Sequence, residues 1–337
     1  MTKRRRRFIA ALILACTLVT IGEWAIFSHY DALVSGREVQ PSTAQPKPME
    51  TFKNIHVLND NPKLVALSEH GQLLAYVDPQ NTLRAVDTTN GKEVFSKALN
   101  HQATELDWIG DDSVFVGTQI DEGSSTTLVL NTINVSSGDV RTIHEFQGFS
   151  KSAKFQAITY SPYTNDVYVL ISGDTNSVMY HFDTNGEMHQ VALSGRYVTN
   201  AAVTQTTDTL FFQDKAEGTD NVLKYDKGTT QLLHRNSRIL RVLNDTLFFS
   251  VLDSSGNVVR IDEEHDGVTS VFMTLANPAP ADKVFVDDDG HVIVVSGNAY
   301  TDERTNKTTS LPQYNNLSIR DNAMIFFGDD GKVTVVS

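Results

Sequence analysis

The chain has 337 residues, 40% of them hydrophobic and 20% charged, which suffices for one large or two modest folded domains and excludes a disordered chain. Its single cysteine, Cys16, excludes an intramolecular disulfide framework and any cysteine-based zinc cluster. The formal charge is −13, and residues 28–337 carry 23 basic against 40 acidic side chains, a net of −17 that repels phosphate backbones and argues against nucleic-acid binding.

The chain opens on a basic tail, residues 1–7, with Lys3 and Arg4 to Arg7 in succession. Residues 8–27 follow as an apolar run broken only by Glu23. As a helix these 20 residues span about 30 Å, the thickness of a bilayer's hydrocarbon core. The basic tail predicts a cytoplasmic N-terminus, and Trp24, Phe27 and Tyr30 suit the far interface. The reading is a single-pass anchor in the cytoplasmic membrane of a bacterium, with everything after it outside. A cleaved signal peptide, giving a secreted protein, and a lipoprotein modified at Cys16 stay open as alternatives. Residues 28–50 form a linker whose proline-rich part, QPSTAQPKPME, reads as stiff and extended.

From residue 51 to 337 short runs of Val, Ile, Leu, Phe, Tyr and Thr alternate with clusters of Gly, Asp, Asn and Ser, an all-β pattern. One signature recurs: an apolar strand ending in an acidic or amide residue. It closes at Asp78, Asp121, Asp174, Asp214, Asp253, Asn298 and Asp329, with a mean spacing near 42 residues that matches one propeller blade. Turn pairs such as His70-Gly71, Asn165-Asp166 and Asn244-Asp245 precede these strands, and Asn90-Gly91, Ser137-Gly138, Asn185-Gly186 and Asp266-Gly267 follow them. Each unit reads as four antiparallel strands, a to d, and the units number seven. The sixth is blurred across TDERTNKTT, which leaves six or eight blades open. The seventh offers three strands, NLSIR, AMIFFG and KVTVVS. The unpaired segment TFKNIHVL (51–58) is therefore predicted to complete it and close the ring.

At unit one the residues carry a resemblance. AVDTTNGKEVF (85–95) resembles the repeat of YVTN/WD40-like and quinoprotein-like propellers, with Asn90 and Phe95 in place of that repeat's Thr and Trp. ALSEHGQLLAYVD (66–78) is similar to the repeat of TolB-type and prolyl-oligopeptidase propellers, with His70 where that repeat has Asp. The resemblance implies a fold and no particular activity, because propellers host many functions.

Catalytic signatures are sparse. The quinone-dependent dehydrogenases of this fold class use paired cysteines and a tryptophan-rich core, whereas residues 28–337 hold no cysteine and one tryptophan, Trp108. Trp108 reads as a core aromatic near the axis. No G-x-S-x-G, phosphate-binding loop or H-E-x-x-H occurs, so no catalytic residue and no cofactor is assigned. Asp287-Asp288-Asp289-Gly290 and Asp329-Asp330-Gly331 resemble fragments of calcium loops without the full ligand spacing; calcium stays a weak option, and a turn is the preferred reading. Of the ten histidines only His181 and His189 lie close, flanking a turn, and both read as strand-surface residues.

The binding candidates are the b–c loop residues Asp78, Asp121, Asp174, Asp214, Asp253, Asn298 and Asp329, which share one face around the channel mouth. Like charges there focus a negative potential that favours a cation, a basic peptide or a cationic polymer. The competing reading is that each side chain bonds the backbone of its own turn. DEGSS (121–125) and DKAEGTD (214–220) read as longer loops on that face. The functional expectation is a membrane-anchored binding or scaffold module for a protein or envelope component. A metal-assisted, lactonase-like hydrolase or lyase with its site in the axial channel is the alternative.

Overall fold

The computed structural model describes residues 53–56, 62, 64–226, 228–311, 313–320, 323–328 and 332–336. They form seven four-stranded antiparallel sheets, each running a-b-c-d in chain order apart from the last. In the first, strands Leu64–Leu67, Leu73–Val77, Thr82–Asp87 and Glu93–Ala98 match the four read from the sequence. The sixth resolves the blurred segment: Ala299–Asp302 is its strand c and Lys307–Ser310 its strand d, with the intervening turn held by Asp302. The seventh takes strands a to c from Asn316–Arg320, Ala323–Phe327 and Lys332–Val336, and strand d from Lys53–His56. Ile55 pairs with Val333 and Lys53 with Val335, so the ring closes through the two ends of the domain as expected. The segment read as a membrane anchor (8–27) and the linker lie outside the described residues. Among the described residues no helix is long and apolar enough to cross a membrane.

The apolar runs of the b strands explain why the sheets stack radially. Strand b is the second from the axis and is covered on both faces, so it cannot alternate apolar with polar. Phe211 and Phe212 are both fully buried and point to opposite sides. Phe212 joins Tyr168, Leu170 and Val203 between blades 3 and 4, while Phe211 joins Ile239, Leu247 and Phe249 between blades 4 and 5. Each such ring contributes about 1.5–3 kcal/mol by leaving water. The same division recurs around the ring, and Val65, Leu74 and Tyr76 of blade 1 pack on Ile325, Val333 and Val335 of blade 7. Trp108 is 9% exposed in the core shared by blades 1 and 2, and its Nε1–H donates to the Ala66 carbonyl at 2.8 Å.

Because the strands alternate in direction, the a–b and c–d turns share one face and the b–c turns the other. The a–b face is stapled from blade to blade. The His70 N–H donates to Asp111 Oδ1, the Tyr163 N–H to the Gln205 carbonyl, the Thr206 N–H to Asp245 Oδ1, and the Arg241 guanidinium to Asp288. Turn residues with positive φ make this possible; Asn244 and Asp245 take +48° and +60° in a two-residue hairpin turn.

Candidate functional site

The b–c residues have three different environments. Asp78 is 1% exposed. Its Oδ1 accepts the N–H groups of Gln80 and Thr82 at 3.0 and 2.8 Å, and its Oδ2 accepts Arg84 Nε at 3.0 Å. Burial pushes this carboxyl up, but the Thr82 N–H and the Arg84 guanidinium outweigh it and hold it below the ordinary carboxylate range. Asp253 repeats the arrangement with Ser255 and Asn257 at 2.8 and 2.9 Å, and the Asn257 N–H leads in lowering its pKa. Asp214 is buried; Arg196 donates to one oxygen at 2.6 Å and Asn221 Nδ2 to the other at 2.9 Å. Asp121, Asp174 and Asn298 are exposed, and Asp329 lies outside the described residues.

The same capping recurs on the other face. Asp287 Oδ1 accepts the N–H groups of Asp289 and His291, and Asp183 those of Asn185 and Glu187. The calcium-like Asp287-Asp288-Asp289-Gly290 run is therefore a capped turn whose Asp288 holds Arg241.

Two of the expected loops are strands. Strand b of blade 2 is Ser113–Glu122 and strand c begins at Ser125, while in blade 4 the bounds are Leu210–Ala216 and Thr219–Asp226. Asp121 pairs with Thr126 and Asp214 with Asn221 inside these ladders. The tight turns work because Glu217 and Gly218 take φ of +52° and +79°, so polar sequence continues as a hairpin arm rather than a loop.

What surrounds the axis is supplied by the innermost strands. A cavity of about 380 Å³ is lined from strands a of blades 2 to 7 and from the short turn Ala281–Lys283. Its polar lining includes Glu105, Asp107, Gln156, Asn200 and Asp282 among the described residues. The b–c turns stand one to two strand spacings farther out, roughly 5–10 Å. The a strands of blades 2 to 5 share an irregularity that the sequence does not announce. The ladder skips one residue at Thr104, Gln156, Thr199 and Leu240 in turn. Such bulges bend the strand and re-aim its side chains. Gln156 Nε2 donates to the Thr199 carbonyl of the next blade at 3.0 Å, locking adjacent bulges together.

The sequence reading missed this acidic lining because it searched strand ends, where Asp and Asn concentrate. The available signal was polar residues inside the first strand of a unit, as in ATELDWI, where core packing alone predicts apolar ones.

No family model matches the chain, and no curated protein matches it. Among solved structures, a prolyl endopeptidase matches with a TM-score of 0.50 at 15% identity, covering 81% of this chain and 45% of that one. TolB from Acinetobacter baumannii matches at 0.47 and 15% identity, covering 79% and 64%. The chain thus spans less than half of the endopeptidase structure. The likeness shows the propeller fold that the repeat resemblance implied.

Proposed function

We propose that the propeller is an extracytoplasmic binding module, held at the cytoplasmic membrane by residues 8–27, that captures a cationic element of a protein or envelope polymer in its axial cavity. The observation that carries this reading is the lining: Glu105, Asp107 and Asp282 share one cavity. Acidic groups gathered on low-dielectric walls concentrate field and raise the local density of cations. A rigid ring of blades suits this task, since a site on packed strands needs little ordering when a partner arrives. Exposed Asp121 and Asp174 add an outer acidic rim at the b–c mouth, where charge acts more on the rate of encounter than on the life of the complex.

Crosslinking and pull-down of the full chain from native membranes tests the proposal. Glu105→Gln, Asp107→Asn and Asp282→Asn combined are expected to abolish capture of the partner. Asp121→Asn with Asp174→Asn should slow association and leave dissociation nearly unchanged. Capture that survives the cavity triple, in a chain whose melting is unaltered, would remove the axial cavity as the binding site.

A further inference from the structure

We propose that the interface of blades 3 and 4 carries a site for a divalent transition metal, zinc being the ion to test first, formed by Asp166, His181 and Asp208. The site lies on the a–b face, at the opposite end of the blades from the b–c mouth, and is independent of the axial cavity.

Strand geometry brings the three together. Asp166 opens strand b of blade 3, Asp166–Ser172, and Tyr168 follows two residues later on the same face. Tyr168 pairs across the ladder with His181 of strand c, Ser177–Phe182. All three side chains therefore project toward blade 4, where the a–b turn supplies Asp208 at a φ of +52°. His181 Nε2 lies 2.6 Å from Asp166 Oδ1. One ligand atom each from Asp166, His181 and Asp208 falls within 4.8 Å of the other two, so a single ion can reach all three. His181 is therefore an interface residue rather than the strand-surface residue expected from sequence, whereas His189, paired with it in the ladder, is exposed.

The surroundings hold these groups for a ligand. The Tyr168 ring stacks on the His181 imidazole with centroids 4.4 Å apart and planes at 6°, which fixes the ring's orientation. The Tyr168 hydroxyl donates to the Asp208 carboxylate at 3.0 and 3.1 Å, as an outer-shell partner orients a metal-binding carboxylate. Asp166 is 7% exposed. Two carboxylates held close in a half-buried interface repel, and a dication between them relieves that repulsion. One imidazole with two carboxylates selects a borderline metal over calcium or magnesium, which prefer oxygen alone. Three protein ligands leave a coordination position open, the pattern of an exchangeable rather than a purely structural site. A second group, Asp183, Glu187 and His189, also falls within ligand distance but is largely exposed on a single hairpin, and it serves as the control.

The test uses the full chain in detergent, stripped with a chelator and titrated with zinc, with cobalt as the spectroscopic probe. The expected result is one equivalent of zinc bound, a higher melting temperature, and cobalt absorption typical of an imidazole–carboxylate site. Asp208→Asn keeps an acceptor for Tyr168 and a residue that tolerates positive φ, yet removes the charged ligand. It and His181→Ala are each expected to weaken zinc by more than ~100-fold, and Tyr168→Phe by about 10-fold, the size of an outer-shell loss. His189→Ala should change nothing. The metal-free melts show which variants still fold. Wild-type chain that takes up no stoichiometric zinc, binds calcium equally well, or binds zinc unchanged in Asp208→Asn would overturn the site.

Discussion

At the scale of single residues, the recurring aspartates at strand ends are structural first. Asp78 accepts two turn N–H groups and the Arg84 guanidinium from a nearly inaccessible position. Asp78→Ala leaves those donors unmatched, and the expected loss is about 2–3 kcal/mol, read as a lower urea midpoint. The pH dependence has a definite sign. The folded pKa of Asp78 is depressed, so its contribution is complete above the unfolded value of about 3.9 and is lost as pH falls through the lower folded value. Asp78→Asn should therefore lose less stability than wild type on acidification below about pH 4, and identical slopes in the two proteins would contradict this. The sequence showed the positions of these residues, and it also showed the turn chemistry that competes with ligand binding. It could not show which of the two wins, because Asp78, Asp214 and Asp121 all end apolar strands and differ in what folds against them: a turn with Arg84, Arg196, or the neighbouring Gln119.

At the scale of elements, the bulged a strands set how closely blades approach. Gly117 of blade 2 pairs with Glu105 just beyond the Thr104 bulge. A Cβ built there would lie 2.4 Å from Phe155 Cδ2 of blade 3 and 3.0 Å from Glu105 Cβ. Phe155 is itself 3% exposed and has little room to yield. Gly117→Ala is thus expected to cost about 1–3 kcal/mol through overpacking. Gly123→Ala, in the hairpin turn of the same blade, meets no atom within 4 Å and suffers only from its φ of +66°. Paired urea melts check the comparison, and an unchanged midpoint for Gly117→Ala would refute the close approach. Strand existence was legible from composition and turn residues, as the agreement in blade 1 shows. The bulges were not, since a single extra residue in a strand leaves no mark on a pattern that is apolar on both faces. Hairpin arms read as loops for a related reason: DEGSS and DKAEGTD are polar because the arms stand beyond the core, and polarity alone does not distinguish a solvated ladder from a loop.

At the scale of the molecule, the blade count followed from the recurring strand-end signature, and the ring closure from an argument about edges. A three-stranded last unit and an unpaired leading segment each leave hydrogen-bonding groups open, and pairing them satisfies both. Closure has a mechanical consequence: strand Lys53–His56, hydrogen-bonded to strand Lys332–Val336, ties the two ends of the domain into one sheet. Asn54 stands opposite Thr334 in this ladder. Facing residues of an antiparallel pair have Cα atoms about 4.5–5.5 Å apart, within the range a disulfide accepts. Asn54→Cys with Thr334→Cys, placed in a Cys16→Ser background, should therefore oxidise spontaneously and clamp the first strand to the last blade. The crosslink closes a loop of nearly the whole domain, so the expected gain is on the order of 4–5 kcal/mol where loop entropy dominates. A difference in melting temperature between oxidised and reduced samples measures it. The gain comes from constraining the unfolded chain, so it does not depend on where unfolding begins. If the bond forms and melting is unchanged, strain in the closed ladder or residual structure in the unfolded chain cancels the loop-entropy gain; if it does not form under oxidising conditions, the closing strand is not Lys53–His56.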